Sequence, residues 1–231
     1  MNLLECKNVS KKYGKNEDVL NSLNLKIETG KVYGLFGKNG SGKTTLLKLI
    51  NDLLTLDSGE ILFNNQKIGV YSKSKISYLP EKSYLDIDMN VKSIINMFND
   101  FYVDFDMKKA NRLLKNFNID YDLEIYKMSK GKQKIFQLIL VMSRKASLYI
   151  LDEPFDGIDS ISLDYILEMI TSNKSKNSSI IISTHLISDV KKILDEVIVL
   201  DNKKVVIENN IKKLEEKEKK NLEDILKVMF K

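Results

Sequence analysis

The chain has 231 residues, 43% of them hydrophobic, and a formal net charge of +5, which suits one large α/β domain or a domain with a subdomain. Its single cysteine excludes an internal disulfide and a cysteine metal cluster, and fits a reducing compartment. The basic residues are nearly all lysines mixed with Asp and Glu, whereas base reading favours arginine, so no nucleic-acid partner is expected.

The first part of the chain predicts strands followed by a phosphate-binding loop. Residues 3–9 predict an opening strand, and alternation over residues 23–27 continues the β pattern. Residues 31–36 predict a buried strand and residues 45–50 a helix, with a glycine-rich turn between them. That turn fits G-x-x-x-x-G-K-[ST], the P-loop, and consists of Gly37, Lys38, Asn39, Gly40, Ser41, Gly42, Lys43 and Thr44.

Each part of the P-loop suits a nucleotide triphosphate. Glycines let backbone N–H groups curl around phosphates, and a helix N-terminus adds partial positive charge. Lys43 is expected to reach the β- and γ-phosphates and the Thr44 hydroxyl to hold Mg²⁺, and Thr45 is assigned to the same binding stretch. A glycine-rich turn that binds nothing is the alternative, and the complete motif between a strand and a helix argues against it.

The middle of the chain predicts a small helical insertion. Strands are predicted at residues 61–63 and 76–79, the second stopped by Pro80. From about residue 84 to residue 126, apolar residues recur at helical spacing. Asp104 is expected to cap a helix that begins near residue 106, and Ser129 to cap the next one. With that helix, the insertion extends over about residues 84–145.

Two further signals lie where strands are predicted to end. Residues 148–151 predict a strand that ends in Asp152 and Glu153, and this is the Walker B pattern when it shares a sheet with a P-loop. Asp152 is then expected to hold Mg²⁺, and Glu153 to polarise the attacking water. His185, the only histidine, follows the predicted strand 180–183, where parallel sheets gather ligands. Its imidazole is expected to bond a γ-phosphate or a water; an acidic turn and a structural histidine are the alternatives.

The last third predicts helices, a hairpin and a charged tail. Residues 161–170 and 186–194 predict helices, and residues 197–207 a closing hairpin. Residues 211–231 predict a charged helical tail that matches no motif.

Together these motifs resemble the nucleotide-binding subunits of ABC transporters over about the first 210 residues. Residues 128–133 match the family's signature, usually LSGGQ, and residues 156–159 match its D-loop. Tyr13 falls at the aromatic that stacks on adenine, and His185 at the switch histidine. Glu81 stands where many members have the Q-loop glutamine, and its carboxylate can approach Mg²⁺ or water.

The signature departs from the common pattern at three positions. Met128, Lys130 and Lys132 replace the usual Leu, Gly and Gln, while Ser129 and Gly131, which contact phosphate in the family, remain. The two lysines either add positive charge near a γ-phosphate or are simply solvated.

The resemblance implies an α/β fold: a P-loop NTPase core with a mostly parallel sheet and flanking helices, an N-terminal antiparallel β subdomain and the small helical insertion, all in one domain over residues 1–231. It implies that ATP and Mg²⁺ are bound, with Thr44, Asp152 and Glu81 on the metal. It also implies a head-to-tail dimer in which Ser129 and Gly131 face the partner's nucleotide, and it assigns Asp159 of the D-loop to nucleotide binding.

The function that this resemblance implies is ATP hydrolysis that powers a separate transmembrane permease. The subunit would lie on the cytoplasmic face of the membrane beside a second ATP-binding subunit, and the Tyr-Leu-Pro-Glu and Ser-Lys-Gly patterns resemble small bacterial export-type subunits. The N-terminus predicts no signal peptide, and no stretch approaches the ~18 apolar residues of a membrane span. A soluble ABC ATPase that moves no solute and a nucleotide-binding module that does not hydrolyse are the alternatives.

Overall fold

The computed structural model describes residues 2–14 and 17–230. Four strands near the N-terminus form an antiparallel sheet in the order β2-β1-β4-β5. These strands are β1 (Asn2–Tyr13), β2 (Glu17–Glu28), β4 (Ser58–Phe63) and β5 (Gln66–Lys67). Apolar side chains alternate along β2 with exposed polar ones, as expected for a sheet with one face on the core.

A second sheet has six strands in the order β10-β9-β3-β8-β7-β6. All neighbouring pairs are parallel except β9 and β10, which form the predicted hairpin. Its central strands are buried along their whole length, because helices or the first sheet cover both faces. The strands are β3 (Val32–Phe36), β6 (Ile76–Leu79), β7 (Leu148–Asp152), β8 (Ser179–Ser183), β9 (Glu196–Asp201) and β10 (Lys204–Asn210).

The six-stranded sheet separates two apolar clusters. On one face, Tyr33 and Leu35 of β3 pack with the P-loop helix α1 (Lys43–Ile50) and with the antiparallel sheet. On the other face, Val32 and Phe36 belong to the cluster built with the remaining helices. Alternate residues of one strand thus enter different cores, since successive side chains point to opposite faces of a sheet. The predicted α/β class, with a mostly parallel sheet and an antiparallel β subdomain, is confirmed.

The region of the predicted insertion contains α3 (Val91–Phe101), α4 (Met107–Asn116) and α5 (Lys130–Met142), and α6 (Ser160–Ser172) follows β7. The prediction that Asp104 caps α4 is wrong. Asp106 is the N-cap and accepts a hydrogen bond from the Lys109 N–H at 3.0 Å. Asp104 instead pairs with Arg144, with a 3.1 Å distance between Oδ1 and Nε, because the buried guanidinium requires an anion. The grouping of these helices as one insertion stays a prediction.

Two other helical regions differ from the sequence pattern. The short α2 (Val70–Lys75) was not predicted, because six mostly polar residues show no helical periodicity. Helix α7 covers Ile187–Val190 and changes to a 3₁₀ turn over Lys191–Ile193. The charged tail folds as α8 (Ile211–Glu218) and α9 (Leu222–Met229), separated at Lys219 with φ of 51°. Within residues 2–14 and 17–230, no helix combines the length and apolar character needed to cross a bilayer.

Candidate nucleotide-binding site

The carboxyl ends of four strands meet around a cavity of about 570 Å³. Strand β3 leads into the P-loop, β6 leads to Glu81, and β7 and β8 end at Asp152 and Ser183. Parallel strands place these ends on one edge of the sheet, where α/β folds bind ligands. The cavity is lined by Tyr13, Glu17, Val19, Asn39, Gly40, Ser41, Gly42, Lys43, Thr44, Thr45, Glu81, Glu153, Asp156 and His185.

The P-loop conformation depends on glycine at two close approaches. Gly42 has φ of 100°, and a Cβ there would lie 2.8 Å from a Leu20 methyl group. At Gly37, a Cβ would lie 2.6 Å from the Leu200 carbonyl oxygen. A larger residue would press on a side chain at Gly42 and on the backbone at Gly37, since real Cβ contacts are not this short.

Lys43 lies beneath the P-loop with its ammonium group directed at the loop's own carbonyls. Its Nζ donates hydrogen bonds to the carbonyl oxygens of Gly37 at 2.8 Å and Lys38 at 3.3 Å. The side chain is 8% exposed, and burial lowers its pKa, opposed by the nearby carboxylates of Glu153 and Asp152. A cation held in a partly desolvated cavity attracts anions more strongly than a solvated one.

Asp152 is completely buried at the end of β7. Its Oδ1 accepts a hydrogen bond from the Ser183 hydroxyl at 2.5 Å, because the sheet register pairs these two residues. Its Oδ2 is buried and has no hydrogen-bond partner among the described residues. A buried carboxylate oxygen without a partner is costly, and such an oxygen is the ligand type that Mg²⁺ prefers. The donor set of Asp152 and the Thr44 hydroxyl therefore fits this ion.

Glu153 turns into the cavity with a left-handed backbone, at φ of 46°. Such a conformation costs of order 1–3 kcal/mol in a residue other than glycine, and its N–H is held by the carbonyl and hydroxyl oxygens of Ser183. Oε1 lies 3.1 Å from Nε2 of His185. Burial raises the pKa of the Glu153 carboxyl, and the positive influence of His185 and Lys43 opposes that rise. A carboxylate of increased proton affinity facing a phosphate cavity suits a general base.

The cavity brings together most of the residues that the sequence singled out. Tyr13 is 41% exposed, and its hydroxyl lies 3.4 Å from the Thr45 hydroxyl at the opening of the cavity. Gly37 and Lys38 contribute the carbonyls below Lys43. Six predicted site residues do not line this cavity. Gly37 and Lys38 of the P-loop and Asp152 of β7 lie in segments that lead into it, and the other three are Ser129, Gly131 and Asp159.

These three residues lie at the amino ends of α5 and α6, which we call the signature end. The hydroxyl of Ser129 caps α5 and accepts a hydrogen bond from the Lys132 N–H at 3.2 Å. Asp159 caps α6 through the N–H of Ser162 at 2.9 Å. A Cβ on Gly131 would lie 2.6 Å from the Gly157 carbonyl oxygen, so this glycine allows the signature to pack against the D-loop of its own chain.

Several residues of the site were not predicted from the sequence. Ser183 could have been identified from the sequence, because it is a polar residue at the end of a buried strand. Glu17 and Val19 line the cavity from β2, and no local motif marks them. Lys134 of α5 is buried and donates a hydrogen bond to the Glu81 carbonyl at 2.7 Å.

Known proteins resemble this chain in both sequence and fold. A family model described as ABC transporter matches residues 20–156. The ABC transporter ATP-binding protein YtrB of Bacillus subtilis is 32% identical over 198 residues, which cover 84% of this chain and 68% of YtrB. The lantibiotic transport ATP-binding protein SrtF of Streptococcus pyogenes is 30% identical over 210 residues, with 89% and 90% coverage.

The fold comparison agrees with the sequence comparison. A solved ATP-binding subunit of an ABC transporter superposes with a TM-score of 0.87 at 24% identity and covers 99% of each chain. That likeness confirms the predicted P-loop NTPase core. The family match spans the P-loop, the signature and the Walker B strand, and members of this family bind ATP. The chain therefore belongs to the family of ABC transporter ATP-binding proteins.

Proposed function

We propose that the chain hydrolyses ATP and powers a separate membrane permease through ATP-driven, head-to-tail dimerisation. One observation carries the hydrolytic part: the Glu153 carboxylate and His185 Nε2 lie 3.1 Å apart on the wall of the cavity that Lys43 and the P-loop also line. A base, its hydrogen-bonding partner and a phosphate-binding cation are thus assembled in one place.

The predicted residues at the cavity have distinct roles in the proposed reaction. The P-loop N–H groups and Lys43 bind the phosphates, and Tyr13 packs against the base at the cavity opening. Glu153 accepts a proton from the attacking water, and His185 holds that carboxylate in place. Thr44 and Asp152, with Glu81, would hold Mg²⁺, which neutralises charge on the phosphates when bound.

A second subunit would complete the site at the signature end. Ser129, Gly131 and Asp159 do not line the cavity of their own chain, and the free N–H groups of a helix start attract anions. In a head-to-tail dimer, this surface would meet the γ-phosphate held by the partner's P-loop. ATP would then close the dimer, and hydrolysis would reopen it. With two copies of this chain, both composite sites are equivalent.

The permease is proposed to dock in a groove beside the helical insertion. This permease groove has a volume of about 450 Å³. Its walls are mostly apolar and aromatic, with three basic side chains, and include Leu53, Ile76, Tyr78, Pro80, Tyr84, Phe98, Tyr102, Val141, Lys48, Lys73 and Arg144. Arg144 and Lys73 are already paired with Asp104 and Asp52, so the groove suits chiefly a short helix with an apolar anchor. The subunit would thereby lie at the cytoplasmic face of the membrane.

Export is the proposed direction of transport. The Tyr-Leu-Pro-Glu and Ser-Lys-Gly segments resemble export-type subunits, and SrtF, a 30% identical relative, is named for lantibiotic transport.

The hydrolytic proposal is tested with Glu153→Gln. This variant keeps the shape of the side chain and removes the base, so we expect steady-state ATP hydrolysis to fall at least 100-fold while ATP binding persists. The ATP-bound protein should then elute as a dimer in size-exclusion chromatography. Glu216→Gln, on the exposed side of α8, is the matched control and should hydrolyse at the wild-type rate. Wild-type turnover by Glu153→Gln would overturn the assignment.

The transport proposal is tested by purifying the tagged chain from detergent-solubilised membranes of its host, followed by mass spectrometry. We expect stoichiometric recovery of a polytopic membrane protein. Leu53→Glu places a carboxylate on the exposed apolar wall of the permease groove and should abolish that recovery. Val206→Glu, at another exposed apolar position on β10, should not. Recovery of ribosomes or soluble partners alone would favour the soluble ABC ATPase.

A further inference from the structure

Lys134 is a buried cation that the proposed reaction does not use. It lies on α5, five residues beyond the Ser129 cap, and is 7% exposed. Its Nζ donates one hydrogen bond, to the Glu81 carbonyl oxygen at 2.7 Å, and has no carboxylate within 4.0 Å in the part of the chain that the structure describes. Lysine is seldom buried without a charged partner, so this placement needs a reason.

The surroundings of Lys134 are acidic. Burial lowers its pKa, while the carboxylates of Asp156, Asp152, Glu81 and Glu153 favour the charged form. Three of these groups belong to the wall of the nucleotide cavity, and Asp152 lies buried behind it. The ammonium group therefore balances negative charge at the end of the cavity where the metal and the attacking water are proposed to bind.

Lys134 also links the loop that carries Glu81 to the helix that begins at Ser129. Helix α5 is continuous over 13 residues, so its Ser129 end and Lys134 move together. The Glu81 side chain lines the nucleotide cavity, while its carbonyl is held by Lys134. Along the chain, Glu81 and Lys134 are 53 residues apart, so this bond joins the loop after β6 to α5 directly.

We propose that Lys134 is a positioning residue that ties the Glu81 loop to α5 and thereby couples occupancy of the nucleotide cavity to the signature end. The inference rests on the proposed function, because the coupling would transmit the presence of ATP in one subunit to the surface that binds the partner's ATP. Lys134 would touch neither the ATP of its own subunit nor the ATP of the partner. It acts through the Glu81 backbone.

The test compares Lys134→Met with Lys134→Arg. Methionine preserves the length of the side chain in a buried site but removes its donors and charge, whereas arginine retains both. Lys108→Met, on the exposed side of α4, controls for the loss of one lysine. The readout is hydrogen exchange at residues 79–85 and 129–133, with and without a non-hydrolysable ATP analogue and Mg²⁺.

In the wild type, we expect the analogue to slow exchange in both segments. In Lys134→Met, protection from exchange should persist at residues 79–85 and fall at least threefold at residues 129–133. The kcat for ATP hydrolysis should fall at least tenfold, while the KM for ATP should not change. Lys134→Arg should restore the coupled response, which a purely packing role would not predict. Coupled protection in a folded Lys134→Met would overturn the proposal, as would loss of coupling in a folded Lys134→Arg if Lys134→Met does not fold.

The outcomes also separate this inference from the proposed function. If wild-type protein hydrolyses ATP and Lys134→Met retains coupled exchange, the coupling role is wrong and the ATPase stands. If wild-type protein binds the analogue without hydrolysing ATP and Lys134→Met uncouples the segments, the coupling role stands and the ATPase is wrong.

Discussion

Two charged groups beside the nucleotide cavity are buried, whereas the polar residues of the signature end are exposed. Lys43 is 8% exposed and Asp152 is fully buried, while Ser129 and Lys130 are exposed. One chain supplies the Lys43 cation, the Glu153 carboxylate and an Asp152 oxygen without a hydrogen-bond partner among the described residues. The signature end offers a capped helix start and close backbone packing. Under the proposed function, this difference means that the cavity binds ATP alone, whereas the signature end acts on a ligand brought by another subunit.

The largest expected effect comes from removing the cation of the cavity with Lys43→Met. We expect ATP affinity to fall about 100-fold, since hydrogen bonds to charged groups contribute ~1.5–3 kcal/mol, and hydrolysis to be lost with it. Titration with a fluorescent ATP analogue measures the change. Lys67→Met, exposed on β5, should bind normally. Affinity within twofold of wild type in Lys43→Met would show that the cavity does not bind phosphate as described.

An intermediate effect is expected at the signature end with Gly131→Ala. The new methyl group would meet the Gly157 carbonyl oxygen at 2.6 Å, so we expect a loss of about 1–3 kcal/mol in the free energy of unfolding. Hydrolysis should fall about tenfold, while ATP affinity should stay within twofold because the cavity is untouched. Denaturant unfolding, the ATPase rate and analogue binding measure these three quantities.

The control for this variant is Gly69→Ala, where a Cβ would have no neighbour within 4 Å and neither stability nor turnover should change. If Gly131→Ala weakened ATP binding as strongly as Lys43→Met, the separation between the two regions would be wrong.

The smallest expected effect concerns the pH dependence of ATP hydrolysis. Burial raises the pKa of Glu153, so hydrolysis should decline with falling pH above the ordinary glutamate range, as the base takes up a proton. His185 opposes that rise, and the residual activity of His185→Gln should therefore decline at a higher pH than in the wild type. Rate profiles between pH 5 and 9 measure both midpoints, and a midpoint shifted downward in His185→Gln would contradict the assignment.

The same carboxyl has a consequence for folding. Because the folded chain holds this proton more tightly than the unfolded chain, the contribution of Glu153 to stability is present at low pH. It is lost as pH rises through the raised pKa. Glu153→Gln should consequently unfold at a higher temperature than the wild type at neutral pH, as measured by differential scanning calorimetry.

Much of the fold and the cavity was predictable because its signals are local. The P-loop needs eight consecutive residues between a strand and a helix, and Asp152 and Glu153 follow directly after an apolar strand. The helical period located α3 to α6 for the same reason. The N-cap of α4 was predicted wrongly, because Asp104 and Asp106 are both capping residue types close to the helix start. Only the buried Arg144, which pairs with Asp104, distinguishes them.

The sequence by itself determined the family, the P-loop, the Walker B carboxylates and the alternation of strands and helices, since each depends on neighbours along the chain. The tertiary structure alone decided which distant groups meet. The register of β7 and β8 places Ser183 on Asp152, and the packing of α5 brings Lys134 to Glu81. The two residues of the first contact are 31 positions apart along the chain, and those of the second contact are 53 positions apart. They arise from strand pairing and burial of a shared core, which no local pattern encodes.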